Sequence, residues 1–415
     1  MSGEYLTVEE ALEKVLASVS VLPAESIPLI ATLDKVLAED IFARDSLPPF
    51  ANSSMDGYAV QAEDTRQQPV TLTVLGDIAA GQVPEIEVVS GSAARIMTGA
   101  PMPAGADAVI PVEDTNEPWR SPDRRLPKTI EIRRTVKSGD YVRLPGEDIQ
   151  DGALVIAAGT IIRPQEIGVM ASLGVTDVPV FRTPKVGILA TGDELVEVEA
   201  DLTPGKIRNS NAYTQAAQVS ALGAIPIMLG VARDTEEDVQ AKLEMGVDAG
   251  VDMFISSAGV SVGAYDVVKS VLETRGKVGF WQVRMRPGKP LAQGTYQGIP
   301  YLGLPGNPVS AAVSFERFAR PAILKLSGHR RLLRPEVTAT LTVNMTSDGR
   351  ESYIRSVVER TDNGYIATPT GSQGSHIMTS LVKANGLIII PEGVTDVAAG
   401  DALQAIMIDW PNQVF

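Results

Sequence analysis

The stretch KVGILATGDEL, residues 185–195, joins a short apolar run to the polar turn Thr191-Gly192-Asp193-Glu194. Apolar runs of this length that end in turn residues are typical of strands buried on both faces. The pattern continues downstream: residues 209–224 have a helical period, and residues 225–245, 253–276 and 301–326 each read as a strand followed by a helix. Strands that alternate with helices predict a doubly wound α/β fold with a parallel sheet. Its ligand is expected at the carboxyl ends of the strands.

The segments on either side of this α/β region predict other structures. Thr7, followed three residues later by Glu10, predicts a capping box that opens a helix ending near Val19. Residues 46–146 alternate in short runs broken by Gly and Pro, which predicts a β-rich module. A second helix is predicted from Pro164 to just before Gly174. Short strands beyond residue 328 predict a small C-terminal β-barrel or sandwich.

The composition of the chain excludes several classes of protein. Its 415 residues predict several domains, because single hydrophobic cores stop growing at about 250–300 residues. The formal charge of -15 is unfavourable for binding nucleic acid through its phosphates. The absence of Cys excludes thiolate metal sites, and the presence of 2 His disfavours a histidine-built one, so any metal is expected to be a hard cation held by oxygen. The charged N-terminus has no signal-peptide pattern, and we expect a cytoplasmic protein without membrane contacts.

Two loops of the α/β region combine acids or glycines with the end of a strand. The TGDEL turn places two carboxylates there, as a hard-cation site or a general acid/base pair requires, although the same residues suit a plain turn and helix cap. The loop SSAGVSVGAYD has Gly259 and Gly263 around Ser261, with Asp266 near a helix start. Glycines let the backbone approach a phosphate, and the alternative is a tight strand-to-helix turn.

Two further loops suit an oxyanion. RMRPGKPLAQG crowds Arg286 and Lys289 around a Pro-Gly turn in an otherwise acidic protein, and the alternative is a solvated basic hairpin tip. GLPGNPVSAA places Pro305 and Pro308 before a helix that has Ser310 in its first turn, and the alternative is a rigid loop needed only for folding. Together, the four loops predict an anionic, phosphate-bearing ligand, a divalent cation and a second oxyanion.

Eight short motifs resemble, in the same order, those of the molybdopterin molybdenumtransferase family, which includes the MoeA proteins and the E domain of gephyrin. They are SSMDGYAV, MTGAPMPAGADAV, GED, TGDEL, SNAY, GVSVG with Asp266, PGKP and GLPGNPVSA. The resemblance spans nearly the whole chain and implies a homodimer of four-part subunits. The parts are a discontinuous helical hinge domain (1–45 with 147–180), an inserted β domain (46–146), a molybdopterin-binding α/β domain (181–328) and a C-terminal β domain (329–415).

The resemblance also implies an activity, that of a transferase in molybdenum cofactor biosynthesis. Such an enzyme takes adenylylated molybdopterin and molybdate, uses a divalent cation such as Mg²⁺, inserts molybdenum into the dithiolene and releases AMP. A transient contact with a molybdopterin adenylyltransferase is a further expectation. Two alternatives stay open: the chain adenylylates molybdopterin itself, or it is a gephyrin-like scaffold without activity.

Site residues carry over from the resemblance position by position. The nucleotide side matches Ser261 and Asp266, flanked by Gly259 and Gly263, and the expected metal ligands are Asp193, Glu194 and Asp266. Positions that are functionally sensitive in relatives match Asp56, Thr98, Asp148, Glu194 and Asp234. The molybdate pocket matches Arg286, Lys289, Pro290 and Ser310, with Pro305 and Pro308 in the loop before Ser310 and with Arg355 and Ser375 from the C-terminal domain.

Three positions depart from the family's usual pattern. Gln282 and Arg286 stand where many relatives have Lys, and Ala258 replaces a Gly in the loop before Ser261. Arg keeps the positive charge of Lys but not its geometry. The preference for molybdate over tungstate is therefore left open.

The segment PPFANSSMDGYAV, residues 48–60, has neither a helical nor a strand period. We expect it to present Asp56 to the α/β domain of the other subunit of the dimer. In this interpretation the two serines hold a turn, Gly57 supplies an unusual backbone angle, and Phe50 and Tyr58 anchor both ends in the core. The segment is then not a core strand.

Overall fold

The computed structural model describes residues 4–117, 125–257 and 264–410. The chain divides into two compact units. The larger unit comprises Met1–Ala38, Gly159–Ile167 and Thr176–Phe415, and the smaller unit comprises Glu39–Ala158 and Gly168–Val175.

The elements of the first part of the chain are mostly short strands. The strands are β1 (Glu4–Leu6), β2 (Ala24–Pro28), β3 (Ile41–Phe42), β4 (Asn52–Ser53), β5 (Gly57–Val60), β6 (Val70–Ile78), β7 (Ser92–Ile96), β8 (Ala108–Pro111), β9 (Thr129–Ile132), β10 (Val142–Arg143), β11 (Leu154–Ile156) and β12 (Asp177–Phe181). The helices are α1 (Val8–Ala17) and α2 (Pro164–Ser172).

The second part of the chain contains the α/β region and the C-terminal strands. Its strands are β13 (Lys185–Thr191), β14 (Leu195–Val196), β15 (Ile207–Arg208), β16 (Ile225–Ala232), β17 (Met253–Ser257), β18 (Gly276–Val283), β19 (Met285–Arg286), β20 (Pro290–Tyr296), β21 (Ile299–Leu304), β22 (Glu336–Leu341), β23 (Met345–Thr346), β24 (Glu351–Thr361), β25 (Gly364–Pro369), β26 (Gly386–Ile390), β27 (Asp396–Val397) and β28 (Ala402–Met407). Its helices are α3 (Ser210–Ser220), α4 (Glu236–Asp248), α5 (Ala264–Arg275), α6 (Pro308–Ser314), α7 (Arg320–Leu326) and α8 (Thr379–Val382).

A seven-stranded sheet in the order β1-β18-β20-β21-β17-β13-β16 forms the centre of the larger unit. Side chains of β13 alternate between its two faces: Val186 and Ile188 pack in a cluster with α1, α3, α6 and α7, whereas Leu189 packs with α4 and α5. Helices therefore cover both faces, which confirms the doubly wound α/β prediction. The predicted capping box is also confirmed, since Thr7 and Glu10 form it at the start of α1. Asn209 caps α3.

The expectation of an all-parallel sheet is wrong for one strand. β13, β16, β17 and β21 are parallel, but β20 runs antiparallel to both β18 and β21. The short connections explain this, because strands joined by a tight turn pair as hairpins, whereas parallel neighbours need a longer crossover. β1 was not predicted; it forms one edge of the sheet and pairs in parallel with β18.

The C-terminal strands form a barrel. β24, β25, β22, β28 and β26 close on themselves, because β26 pairs with both β28 and β24. The interior is filled by buried side chains such as Leu341, Val358 and Ile388. Of the two predicted alternatives, barrel and sandwich, the structure is therefore the barrel. The short strand β19 pairs with β24 beside it.

The smaller unit is built on a five-stranded sheet in the order β8-β5-β7-β6-β9, as predicted for a β module. β5 corrects the interpretation of residues 48–60, because Gly57–Val60 is a fully buried strand between β7 and β8. A strand buried on both faces shows no alternation, which is why the pattern hid it. Gly57 is required by close packing and not by its backbone angle, since a Cβ there would lie 1.9 Å from the Ile110 carbonyl oxygen. Tyr58 is buried as expected, whereas Phe50 is 46% exposed and anchors nothing in the core.

Candidate active site

A cavity of about 1140 Å³ lies in the larger unit where β13, β16, β17 and β21 end. The carboxyl ends of parallel strands are the expected ligand position in this fold. Nine residues predicted for the site line this cavity: Glu194, Asp234, Arg286, Lys289, Pro290, Pro305, Pro308, Ser310 and Ser375. The structure thus brings together the acidic loop, the basic loop, the proline loop and a segment of the C-terminal region.

The acidic edge of the cavity is formed by the turn after β13. Gly192 adopts φ 145°, and a Cβ at this position would lie 2.6 Å from Oε2 of Glu194. The glycine therefore lets the Glu194 carboxylate fold back over the turn. Thr191, fully buried at the end of β13, has a hydroxyl without a hydrogen-bond partner among the described residues, and it also lines the cavity.

Asp234 completes the acidic edge from the loop after β16. Its backbone N–H donates to Oδ1 of Asp193 at 3.2 Å, which ties the two loops together. Burial raises the pKa of Asp234, and the nearby Asp193 and Glu194 carboxylates raise that pKa further, while a hydrogen bond from the Asp193 backbone lowers it. A carboxylate in a cavity whose charge is disfavoured by burial and by like charges is typical of a functional site.

The basic edge is the turn between β18 and β20. The N–H of Val283 donates to the carbonyl oxygen of Lys289 at 2.7 Å and closes the turn. Gly288 adopts φ 112°, and a Cβ there would lie 2.5 Å from the buried Ser314 hydroxyl. This glycine is thus required twice, for its backbone angle and for the close approach of α6. The turn joins two antiparallel strands, as in the hairpin alternative, but Arg286 and Lys289 line the cavity.

Arg350 is a cavity residue that the sequence analysis missed. Asp348 lies between two cavity arginines: Nη2 of Arg350 donates to it at 2.5 Å, and Nη1 of Arg286 lies 3.6 Å from the same carboxylate. The Arg350 guanidinium holds the pKa of Asp348 below its usual range. The only signal for Arg350 in the sequence is its place after an Asp-Gly turn, which is too common to indicate a site.

Arg355 lies beside a smaller cavity of about 50 Å³ that Arg286 also lines. Its side chain is 1% exposed, and it donates to the Ser380 hydroxyl at 3.1 Å and to the Gly374 carbonyl at 3.2 Å. Burial, with a contribution from the positive charge of Arg286, lowers the pKa of Arg355 to about 10. A buried guanidinium next to a second one is an arrangement that an anion would stabilise.

The proline loop supplies the remaining polar groups. Ser310 is buried at 5% exposure. Asn211 in α3 donates to the Gly306 carbonyl at 2.7 Å, and the N–H of Val309 donates to the Ser375 carbonyl at 3.1 Å. These bonds fix the loop between α3 and the C-terminal segment.

Several predicted site residues are not part of this cavity. Asp56, Thr98 and Asp148 belong to the smaller unit, where all three are exposed. Oδ1 of Asp56 accepts hydrogen bonds from the backbone N–H and the hydroxyl of Thr98, both at 2.7 Å. Gly259, Ser261 and Gly263 lie outside the described residues, and Asp266 is described only by its place in the first turn of α5.

The acidic edge can be tested for a metal by its donor set. Among residues 4–117, 125–257 and 264–410, no three His, Asp or Glu side chains converge on one point that would hold an ion. Of the three predicted ligands, Asp193 and Glu194 are both exposed at the acidic edge. The oxygen donors at this edge are the carboxylates of Asp193, Glu194 and Asp234, and the first two contribute to the raised pKa of Asp234. Carboxylate oxygens are ligands that a divalent cation prefers.

No helix in the described part of the chain has the length and apolar character to cross a bilayer.

The doubly wound sheet and its cavity define a class: α/β proteins that bind a small anionic ligand at the strand ends. Comparison with known proteins gives the family. The MoeA N-terminal region (domain I and II) matches residues 6–174, the probable molybdopterin binding domain matches residues 187–325, and the MoeA C-terminal region (domain IV) matches residues 338–408.

Relatives of similar length support the same assignment. Molybdopterin molybdenumtransferase 2 of Mycobacterium tuberculosis is 40% identical over 91% of this chain and 94% of its own. The molybdopterin molybdenumtransferase of Haemophilus influenzae is 37% identical over 96% of this chain and 97% of its own. The structure of a molybdopterin biosynthesis MoeA protein from Pyrococcus horikosii superposes with a TM-score of 0.83 at 32% identity and covers 98% of this chain and 100% of that one. The chain belongs to the molybdopterin molybdenumtransferase family.

Proposed function

We propose that this protein is a molybdopterin molybdenumtransferase that takes adenylylated molybdopterin and molybdate and releases AMP. The observation that carries the proposal is that one cavity has a basic and an acidic edge. A reaction between an oxyanion and a phosphate-bearing ligand requires charged donors for the first, and carboxylates suited to a divalent cation for the second. Membership of the family supports the same assignment.

On the basic edge, Arg286, Lys289 and Ser310 would bind molybdate. Both charged groups can donate to its oxygens, and the Ser310 hydroxyl can donate from a buried position. Arg355, which lines the smaller cavity together with Arg286, would add positive charge nearby. The backbone hydrogen bond between Val309 and Ser375 would hold the loop in place. Fixing the oxyanion in this way lowers the entropy cost of bringing it to the dithiolene.

On the acidic edge, Asp193 and Glu194 would hold Mg²⁺, with Asp234 beside them. Asp266 would be the third ligand, a role that rests on the motif. The ion would neutralise phosphate charge when bound. Gly192 would keep Glu194 folded toward the edge, and the backbone bond from Asp234 to Asp193 would keep the two loops in register. The nucleotide side would use Ser261 between Gly259 and Gly263, a role that rests on the motif.

We also propose that the active protein is a homodimer and that Asp56 and Thr98 serve the site of the other subunit. Asp148 matches a functionally sensitive position of the family and is part of the same proposal. The support is that Asp56 and Thr98 are exposed side chains paired with each other at the end of a buried strand. Such a pair presents a preformed surface to a partner.

The proposal is tested by incubating the purified protein with adenylylated molybdopterin, Mg²⁺ and molybdate and measuring AMP. Molybdate-dependent AMP release supports it. If the protein instead forms adenylylated molybdopterin from ATP with release of pyrophosphate, it is the adenylyltransferase alternative. If neither AMP nor pyrophosphate is released, the alternative of a scaffold without activity is supported instead.

Lys289→Ala then tests the position of molybdate. Loss of a charge-assisted bond of about 1.5–3 kcal/mol is expected to raise the KM for molybdate about 10- to 150-fold. Lys277→Ala is the matched control, because Lys277 lies exposed on β18, outside the cavity lining, and should leave that KM unchanged. An unchanged KM in Lys289→Ala would remove Lys289 from the molybdate site.

A further inference from the structure

Lys289 makes a contact outside the cavity that its proposed role does not explain. Its ammonium nitrogen lies 5.6 Å from the centre of the Tyr5 ring. This distance is within the range of a cation–π contact, in which the negative face of an aromatic ring attracts a positive charge. Tyr5 itself is 56% exposed, so the ring is not buried to fill a core position.

The short strand β1 brings Tyr5 to this place. β1 pairs in parallel with β18, so that Tyr5 lies opposite Gln282, and Gln282 in turn lies opposite Pro290 of β20. The backbone N–H of Arg284 donates to the Leu6 carbonyl at 2.8 Å and extends this pairing toward the turn. The backbone of Tyr5 is thus two strand spacings, or about 10 Å, from the backbone of Pro290, which follows Lys289. A lysine side chain can span part of this gap.

A lysine side chain in a cavity needs something to direct it. Its four-carbon stem has many rotamers, and ordering them costs conformational entropy. An aromatic ring in contact with the ammonium group restricts these rotamers while leaving the ammonium donors available, because a cation–π contact uses the charge and not a hydrogen bond.

We propose that Tyr5 is a positioning residue that holds the Lys289 ammonium ready to bind molybdate. The inference rests on the proposed function, since it assumes that Lys289 binds the oxyanion. Tyr5 does not touch the substrate in this role. It acts through Lys289, and it makes the N-terminal strand part of the machinery that sets the affinity for the oxyanion.

The loss of the Tyr5 ring is expected to change the KM for molybdate and no other kinetic constant. Tyr5→Leu keeps an apolar side chain of useful size but removes the aromatic face. We expect it to raise the KM for molybdate about two- to fivefold, the size of an exposed cation–π contact. The kcat and the KM for adenylylated molybdopterin should stay within the error of the wild-type values, because a preorganised lysine affects only the binding of its own ligand.

Tyr5→Phe is the matched variant, because it keeps the ring and removes only the hydroxyl. It should retain the wild-type KM for molybdate. Lys14→Met is the control for an unrelated contact of the same kind, since the Lys14 ammonium lies 5.7 Å from the Trp281 ring and neither residue lines the cavity. It should leave the KM for molybdate unchanged. Titration of each protein with sodium molybdate in a calorimeter measures the same effect without turnover.

Combination with Lys289→Ala separates this inference from the proposed function. If Lys289→Ala raises the KM for molybdate, Tyr5→Leu should add nothing to the double variant, because Tyr5 acts only through Lys289. A wild-type KM in Tyr5→Leu, or equal losses in Tyr5→Leu and Tyr5→Phe, would overturn the role of Tyr5 while leaving molybdate at Lys289. An unchanged KM in Lys289→Ala would overturn the proposed position of molybdate itself.

Discussion

Asp56 of the smaller unit and Asp234 of the larger unit both lie beside the end of a strand, but their surroundings differ. Asp56 precedes β5, and its Oδ1 accepts two hydrogen bonds of 2.7 Å from Thr98. Asp234 follows β16 and is half-buried near the carboxylates of Asp193 and Glu194, which together with burial raise its pKa. One carboxylate is stabilised by its neighbours, and the other is held where its charge is unfavourable.

This difference indicates how each residue can be interpreted. A carboxylate that accepts two local hydrogen bonds stabilises the fold, so its presence does not by itself require a ligand. A carboxylate kept close to like charges costs stability, and proteins retain such costs where a ligand or a reaction needs them. The surroundings of Asp234 are therefore typical of a ligand-binding residue. A role for Asp56 in catalysis depends on the second subunit.

The largest expected effect is on the activity of the Asp234→Asn variant. Removing one charge from the acidic edge should weaken Mg²⁺ binding and lower molybdate-dependent AMP release about 10- to 100-fold at a fixed, limiting Mg²⁺ concentration. Raising Mg²⁺ should restore part of the rate. Glu237→Gln, an exposed acid in the first turn of α4, is the matched control and should keep its rate. A wild-type response to Mg²⁺ in Asp234→Asn would place the ion elsewhere.

The acidic edge was predictable from sequence because its signals are local. A strand such as β13 is recognised from its apolar run, and the residues after its end must then lie at the carboxyl edge of the sheet. The same reasoning found Lys289 and Ser310. The capping box of Thr7 and Glu10 was predictable for a similar reason, since a cap acts within one turn of its helix.

The features that were missed depend on contacts between distant segments. β1 has three residues, too few for a period, and its place is decided by pairing with β18, far along the chain. Arg350 enters the cavity because β24 pairs with β19, which no local pattern reveals. Gly57 was assigned the wrong cause, because the close approach of Ile110 cannot be read from neighbouring residues.

The second prediction tests whether Asp56 serves a partner's site. Asp56→Ala and Asp234→Asn should each have low activity at limiting Mg²⁺. In a mixed dimer, one site collects both changes and the other collects neither. Random pairing makes half of the dimers mixed, so about a quarter of the wild-type sites should be restored. Co-expression with two affinity tags gives a doubly purified heterodimer in which half of the sites should be wild type, and its assay measures this recovery. Verified heterodimers without recovery would show that Asp56 does not act in the partner's site.

The smallest expected effects are on stability, and they have opposite signs for the two carboxylates. Asp56→Ala removes the acceptor of two hydrogen bonds and should lower the free energy of unfolding of the smaller unit by about 1 kcal/mol. Asp234→Asn removes a charge that the folded state disfavours, so it should raise the free energy of unfolding by less than about 1 kcal/mol at neutral pH. Both are measured by thermal unfolding in EDTA, because a bound cation would reverse the sign at Asp234.

The difference in the free energy of unfolding between Asp234→Asn and the wild type should depend on pH, and this dependence checks the sign of the effect. The folded-state pKa of Asp234 is raised, so the folded protein binds more protons than the unfolded chain between the two pKa values. The stability advantage of Asn should therefore be full above the raised folded pKa, decline as the pH falls through it, and vanish below the pKa of the unfolded carboxyl. Asp238→Asn should show the opposite trend, because Arg233 lowers the pKa of Asp238 and its charge is favourable in the folded state. If Asp234→Asn lowers the stability at neutral pH in EDTA, its carboxylate is as well satisfied as that of Asp56, and the contrast between the two residues does not hold.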